Sequence, residues 1–253
     1  MGITNKDYFE DDKYMSVSAY KKYQKCELGG LTPWGKPSDA MMVGSYVDAY
    51  IEGTLGQFKD EHPEIISTRG VTKGLLKAEF VKATEICDYI DANPTFSQFM
   101  SGDKQTILTG EIEGVPFKCK MDSYSKGIAI NDLKVMRTVT DSRGQFYDFI
   151  QPWGYDIQLA CYQELVLQNT GEKLPCYICA VTKESPINSV IINVPQVYLD
   201  IALYKVQENI KRYYNVKMLK ELPVGCGICK TCIEARKDTP IISLQDILEG
   251  VIA

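Results

Sequence analysis

One stretch, residues 114–134 (GVPFKCKMDSYSKGIAINDLK), limits what this chain can become. From Val115 to Tyr124 the residues alternate. Val115, Phe117, Cys119 and Met121 point one way, and Lys118, Lys120 and Asp122 the other, which is the pattern of a half-buried strand. A Ser-Lys-Gly turn follows, and then a β-branched run from Ile128 to Val135. Asp132 and Lys134 are two residues apart, so they share a face of that second strand. Charges in so apolar a strand need a wet face or a partner. If the two strands pair, Asp122, Asp132 and Lys134 converge at the sheet edge. Two carboxylates and an ammonium group there suit a divalent cation and a phosphodiester. The plainer alternative is a two-faced sheet with one solvated side.

The 253 residues suit one large domain, residues 15–235, with an N-terminal arm (1–14) and a C-terminal tail (236–253). No apolar stretch is long enough to span a membrane, and the opening MGITNKDYFEDD is polar and acidic, unlike an export signal. The formal charge of −5 argues against a generally basic nucleic-acid coat. It leaves room for a nuclease whose acids hold metal while lysines line a local groove. A single histidine, His62, lies in a polar stretch over 54–72, which excludes schemes built on several histidines. No Gly-x-x-x-x-Gly-Lys-Ser/Thr loop marks an ATP motor.

The order of elements predicts an α/β fold, with a central mixed sheet and helices on both sides. A short helix capped by Ser16 or Ser18 runs to about Cys26, and a Gly/Pro-rich loop with Trp34 and Lys36 covers 29–40. A second helix starts near Ser38 or Asp39. It carries Gly44, Asp48 and Glu52 along one face, beside a Val43, Val47, Ile51 stripe. Gly44 would allow a neighbouring element to approach closely, and Asp48 is either a ligand or part of a polar side. A long amphipathic helix over 73–92 ends at Asp-Ala-Asn-Pro. Strands follow from Thr106, with Glu111 near the Glu113-Gly114 turn as a candidate further carboxylate and Glu113 competing for that role. A mobile-looking connection covers 137–152. The next helix places Gln158 and Tyr162 on one face and ends at Gly171. Two more strands and a helix from about Pro195 to Lys220 complete the core, with Ile201, Tyr204, Ile210, Tyr213 and Tyr214 on the less polar side of that helix.

Nine cysteines cannot all pair within one chain, and without an export signal they read as thiols or metal ligands. Cys226, Cys229 and Cys232 recur every three residues beside Gly225 and Gly227, as in a turn wrapped around metal. Zinc or an iron–sulfur cluster suits such thiolates, but three make an incomplete set. Cys26, just after the first helix, is the best fourth and would join the two ends of the domain. Reduced surface thiols are the alternative. Cys176 and Cys179 fall on opposite faces of a strand and read as structural.

Taken in order, SVSAYKKYQKC, GSYVDAY, the strand ending in Asp122, NDLK, QLACY and CGICKTC resemble the PD-(D/E)xK nuclease superfamily. The chain is most similar to phage-type exonucleases of the exodeoxyribonuclease VIII kind and to related domains with four cysteines. The resemblance implies that Asp122 and Asp132 hold Mg²⁺ or Mn²⁺, with Asp48 standing where relatives carry histidine and Glu111 as a further ligand. It implies that Lys134 orients water, that Gln158 and Tyr162 form the Gln-x-x-x-Tyr motif, and that Cys26, Cys226, Cys229 and Cys232 hold a [4Fe-4S] cluster, or zinc. The activity it implies is exonuclease digestion of linear duplex DNA in phage-type recombination, in the cytoplasm of a bacterial host and encoded by phage or prophage. A single-strand annealing partner and a ring-shaped homo-oligomer follow by the same analogy. A non-catalytic DNA-binding accessory module and a structure-specific endonuclease are the alternatives.

Overall fold

A computed structural model describes residues 8, 11–239, 241 and 243–245. Most of the predicted arm and much of the predicted tail therefore lie outside the described residues. The fold is α/β. Five strands, β1 (Asp103–Ile112), β2 (Val115–Ser125), β3 (Ala129–Met136), β4 (Cys176–Thr182) and β5 (Ser189–Val194), form one sheet in sequential order. Only β3 and β4 run parallel; the other neighbours are antiparallel. The parallel pair needs a long crossover, and α7 (Tyr155–Thr170) supplies it.

Helices cover both faces. On one, α1 (Val17–Lys25), α7 and α8 (Gln196–Lys217) enclose a core containing Tyr20, Phe117, Met121, Ile130, Leu159, Leu165 and Ile210. On the other, α3 (Asp39–Ile51), α5 (Ala78–Ala92) and the short α6 (Pro94–Phe99) pack Tyr46, Val47, Ile86 and Phe96 against Leu133, Cys179 and Val181. Strand alternation sorts β3 and β4 between these cores: Ile130, Cys176 and Ile178 face the first, Leu133 and Cys179 the second. The fully buried Phe117 is a place where truncation to alanine would cost about 3–5 kcal/mol.

Several boundaries differ from the sequence reading. The polar stretch over 54–72 contains α4 (Leu55–Glu61) and two 3₁₀ turns. His62 pairs with Glu64 at 2.9 Å and packs on the Phe58 ring. Helix α5 starts at Ala78 rather than at residue 73, because Leu76 is drawn into a bridge with Ile66. Asn93 then ends α5 and caps α6 by accepting the Phe96 N–H at 3.1 Å. The arm is docked where it is described: Lys118 donates to the Tyr8 and Asp11 carbonyls at 2.5 and 2.6 Å, and Met15 bridges to Phe117. The connection over 137–152 is pinned by the buried Val139 and Phe149. On α8 the apolar side is Leu199, Ala202, Val206 and Ile210, while Ile201 and Tyr204 are exposed.

Candidate active site and metal centre

The β1–β2 hairpin closes through Glu113 and Gly114, both with positive φ (53° and 73°), so Ile112 pairs with Val115. Such a two-residue turn matches the natural twist of antiparallel strands. At the other end of the hairpin the regularity fails. Lys104 pairs with Ser123 and Thr106 with Met121, but the position between them, Gln105 opposite Asp122, is missing from the ladder, and Gln105 takes a φ of 49°. The β2–β3 ladder also stops at Ser123 and Asn131. Asp122 thus sits where β2 has lost regular partners on both sides.

Its carboxylate replaces the missing strand bond. The Leu133 N–H donates to Asp122 Oδ2 at 2.9 Å, which fixes Asp122 against the segment between Asp132 and Lys134. Asp132 is fully buried. Gln158 donates to its Oδ1 at 2.8 Å and also to the Tyr162 hydroxyl at 2.8 Å. The Lys134 ammonium is ion-paired with Asp132 Oδ2, an oxygen that otherwise takes no hydrogen bond. One turn of α7 therefore braces Asp132 through a side-chain amide, which is what the Gln-x-x-x-Tyr spacing on a helix face allows.

Electrostatics joins Asp48 to this group. Burial pushes its carboxyl up to about 7, with the Glu52 and Asp132 charges adding and Lys134 opposing. Burial, then the charges of Asp132 and Asp48, raise Asp122 well above the usual carboxylate range. Burial works against a charged Lys134, but the surrounding carboxylates win and raise its pKa. Asp48, Asp122, Asp132 and Lys134 thus lie in one field, and the acids repel each other. Their oxygens do not close on one another as tightly as the sulfurs described below.

Two expectations fail here. Glu111 pairs with Pro116 beside the hairpin turn, six strand positions from the gap opposite Asp122, or about 20 Å. It lies away from the acids, and its N–H is held by Gln168 at 3.0 Å. Glu113 is equally remote and pairs with Lys211. Gly44 does not mediate a close approach, since a Cβ there would meet nothing within 4 Å. Residues the motif reading passed over do reach the site: Lys21 on α1, and Tyr155 at the start of α7, whose ring centroid lies 4.8 Å from Lys134 Nζ.

The second cluster joins distant ends. Cys26 sits between α1 and α2 (Glu27–Gly30), and Cys232 lies on α9 (Lys230–Ala235). The sulfurs of Cys26, Cys226, Cys229 and Cys232 all lie within 4.8 Å of one another. Cys26 Sγ stands 3.5 Å from that of Cys232 and 3.7 Å from that of Cys229, and Cys226 Sγ is 3.9 Å from that of Cys232. Backbone N–H groups of Gly29 and Cys226 point at Cys26 Sγ, and two such donors lower the Cys226 thiol to about 6. A Cβ at Gly225 would come within 2.9 Å of Cys232 Sγ, so glycine keeps this cage open. Glu27 buttresses it through Arg212 at 2.7 Å and the Val224 N–H at 2.7 Å. Four convergent thiols with donors aimed at sulfur can coordinate a metal ion.

Paired acids and a lysine on splayed strands of a mixed sheet define a PD-(D/E)xK-like core. The chain belongs to that class: residues 16–235 match a family described as a PDDEXK-like domain of unknown function. It is similar over 99% of both chains, at 42% identity and a TM-score of 0.87, to a Eubacterium rectale protein whose crystal structure bears the name "Putative exonuclease". No curated protein matches the chain.

Proposed function

We propose that the protein is a Mg²⁺- or Mn²⁺-dependent deoxyribonuclease that digests linear duplex DNA from its ends. The observation that carries this reading is the Asp122 carboxylate seated on the Leu133 N–H, between Asp132 and Lys134. The donors are oxygens alone, the chemistry that hard divalent cations select. Asp122 and Asp132 would hold the ion, with Asp48 completing its surroundings. A bound ion of this kind lowers the pKa of water and offsets charge on phosphate oxygens. Lys134 orients the attacking water and stabilises negative charge growing at phosphorus. Gln158, anchored on Tyr162, keeps Asp132 aimed inward. Cleavage leaves 5′-phosphate and 3′-hydroxyl ends. Action from duplex ends, in recombination beside an annealing protein, rests on the resemblance and on the name carried by the Eubacterium rectale relative.

The four thiolates are assigned to one tetrahedral ion, with zinc the best fit. Thiolates about 2.3 Å from a common centre stand about 3.8 Å apart; three of the sulfur pairs stand 3.5, 3.7 and 3.9 Å apart, and all four sulfurs lie within 4.8 Å of one another. The [4Fe-4S] cube implied by the resemblance places iron and sulfide between its thiolates and needs a wider cage. Metal analysis of the purified protein tests this: a colourless protein with one zinc is expected, and brown, iron-loaded protein would restore the cluster.

The activity test is digestion of end-labelled linear duplex with Mg²⁺ or Mn²⁺, beside a closed circle and the Lys134→Ala variant. Loss of the linear form alone, and no loss with the variant, is expected. A folded, metal-loaded wild type that binds DNA but cuts neither form would favour a non-catalytic binding module, the reading suggested by Asp48 standing where relatives carry histidine.

A further inference from the structure

The nuclease reading gives Lys21 no role. Lys21, on the side of α1 facing the start of α7, donates from Nζ to the Trp153 carbonyl at 2.9 Å. The same ammonium lies 5.3 Å from the centroid of the Tyr155 ring, the ring that also meets Lys134 at 4.8 Å. Two ammonium groups therefore share one aromatic side chain at the rim of the acidic cluster. They differ in their partners. Lys134 is ion-paired with Asp132, whereas Lys21 forms no ion pair with a carboxylate among the described residues. Asp132 and Asp156 attract it only from farther off, and burial and the Lys134 charge pull its pKa down to about 8. Holding a half-buried ammonium beside a like charge, with only a carbonyl and a ring for company, is unfavourable unless an anion arrives.

The surroundings are shaped for this side chain. Gly154 has a φ of 63°, and a Cβ there would come within 2.9 Å of Lys21 Cε, so glycine both permits the turn into α7 and clears the lysine stem. The lysine in turn fixes the carbonyl of Trp153, whose side chain is 63% exposed. An ammonium has three N–H donors. The Trp153 carbonyl takes one, leaving two for a ligand with several acceptor oxygens.

We propose that Lys21 binds a backbone phosphate of the DNA strand next to the phosphate being cleaved, while Trp153 offers its exposed ring to an adjoining base. Lys134 is already matched by Asp132, whereas Lys21, on the same aromatic ring, is free to receive substrate charge. Aromatic faces accept any base, and a phosphate contact carries no sequence information, so the pair favours strand capture without sequence choice. This inference rests on the nuclease reading for its substrate but not for its test.

Binding of a labelled duplex is measured against salt in the Lys134→Ala background, with Lys21 intact or changed to Gln or Arg. Lys21→Gln keeps a donor for the Trp153 carbonyl and removes the charge. The slope of log affinity against log salt is expected to shrink by about 1 in Lys21→Gln and to stay at the parent value in Lys21→Arg. In the cleaving protein, Lys21→Gln should raise KM about five- to tenfold with kcat within about twofold. Thermal unfolding of both variants checks the fold. Should Lys21→Gln unfold, Trp153→Ala, which leaves the backbone carbonyl in place, is expected to weaken binding about tenfold with no change in slope. An unaltered slope and KM in Lys21→Gln, or in its place unaltered binding by Trp153→Ala, would overturn the proposal. A wild type that binds but does not cut removes the nuclease reading and leaves the slope test standing. A wild type that binds no DNA removes both.

Discussion

The carboxylate group and the sulfur cage are built on opposite plans. Asp122, Asp132 and Lys134 stand on strands of the sheet, and Gln158 and Tyr162 on the helix that crosses it, so regular structure aims them. Their charges are left in conflict: Asp48 and Asp122 are both raised by burial and by the charge of Asp132. The four cysteines come from a helix junction, an irregular loop and a short helix, yet their sulfurs are drawn together and supplied with N–H donors. A repelling set of buried oxygens suits a site that takes up a cation. A closed set of four soft donors suits a structural one. Geometry and charge thus set the two clusters apart without reference to any ligand.

Substitutions can break that contrast. Lys134→Ala or Asp132→Asn should lower kcat about 10³-fold in the linear-duplex assay, far more than the stability lost on breaking their buried ion pair explains at temperatures where the variants stay folded. A fall in melting temperature matching the loss of activity would make the site a structural one. Cys232→Ser should act the other way, costing about 3 kcal/mol in denaturant unfolding and reducing cleavage only in proportion to unfolded protein. Gln158→Ala, which removes a brace and no ligand, should cost about 10- to 100-fold in activity, visible as kcat with little change in KM.

The smallest effect concerns stability alone. Because the folded protein raises the Asp48 carboxyl to about 7, its ionisation opposes folding. Asp48→Asn should then stabilise the metal-free protein by about 1 kcal/mol at neutral pH. The two proteins should match below about pH 4, where aspartate is protonated in both states. Their difference should open as pH rises from about 4 to about 7. Equal melting at every pH would show that Asp48 is not under strain.

Much of this was legible in the chain. The alternation of β2, the Asp-x-Lys of β3 and the Gln-x-x-x-Tyr of α7 are local patterns, and local periodicity placed them correctly. Cys26 was found because a set of three thiols asks for a fourth. The failures share a cause as well. Glu111 looked near the acids because it lies near the turn, but ten-residue strands separate the closed end of a hairpin from its open end. Helix α6 is only six residues long, too short for a period to show, and Asn93 before Pro94 was its one signal. Lys21 reaches the site through a contact spanning 132 positions, which nothing in its own neighbourhood announces. The kink at Gln105 was likewise hidden, since glutamine has no special liking for positive φ.

The joining of Cys26 to the late cysteines has a mechanical consequence. With an ion in place, tension applied at the two ends of the chain would travel through sulfur–metal bonds and bypass the sheet. About 200 residues lie between Cys26 and Cys226. A molecule pulled in optical tweezers would yield little until one such bond ruptured, and would then release roughly 700 Å of extended chain. With chelator present, the strands themselves would bear the load.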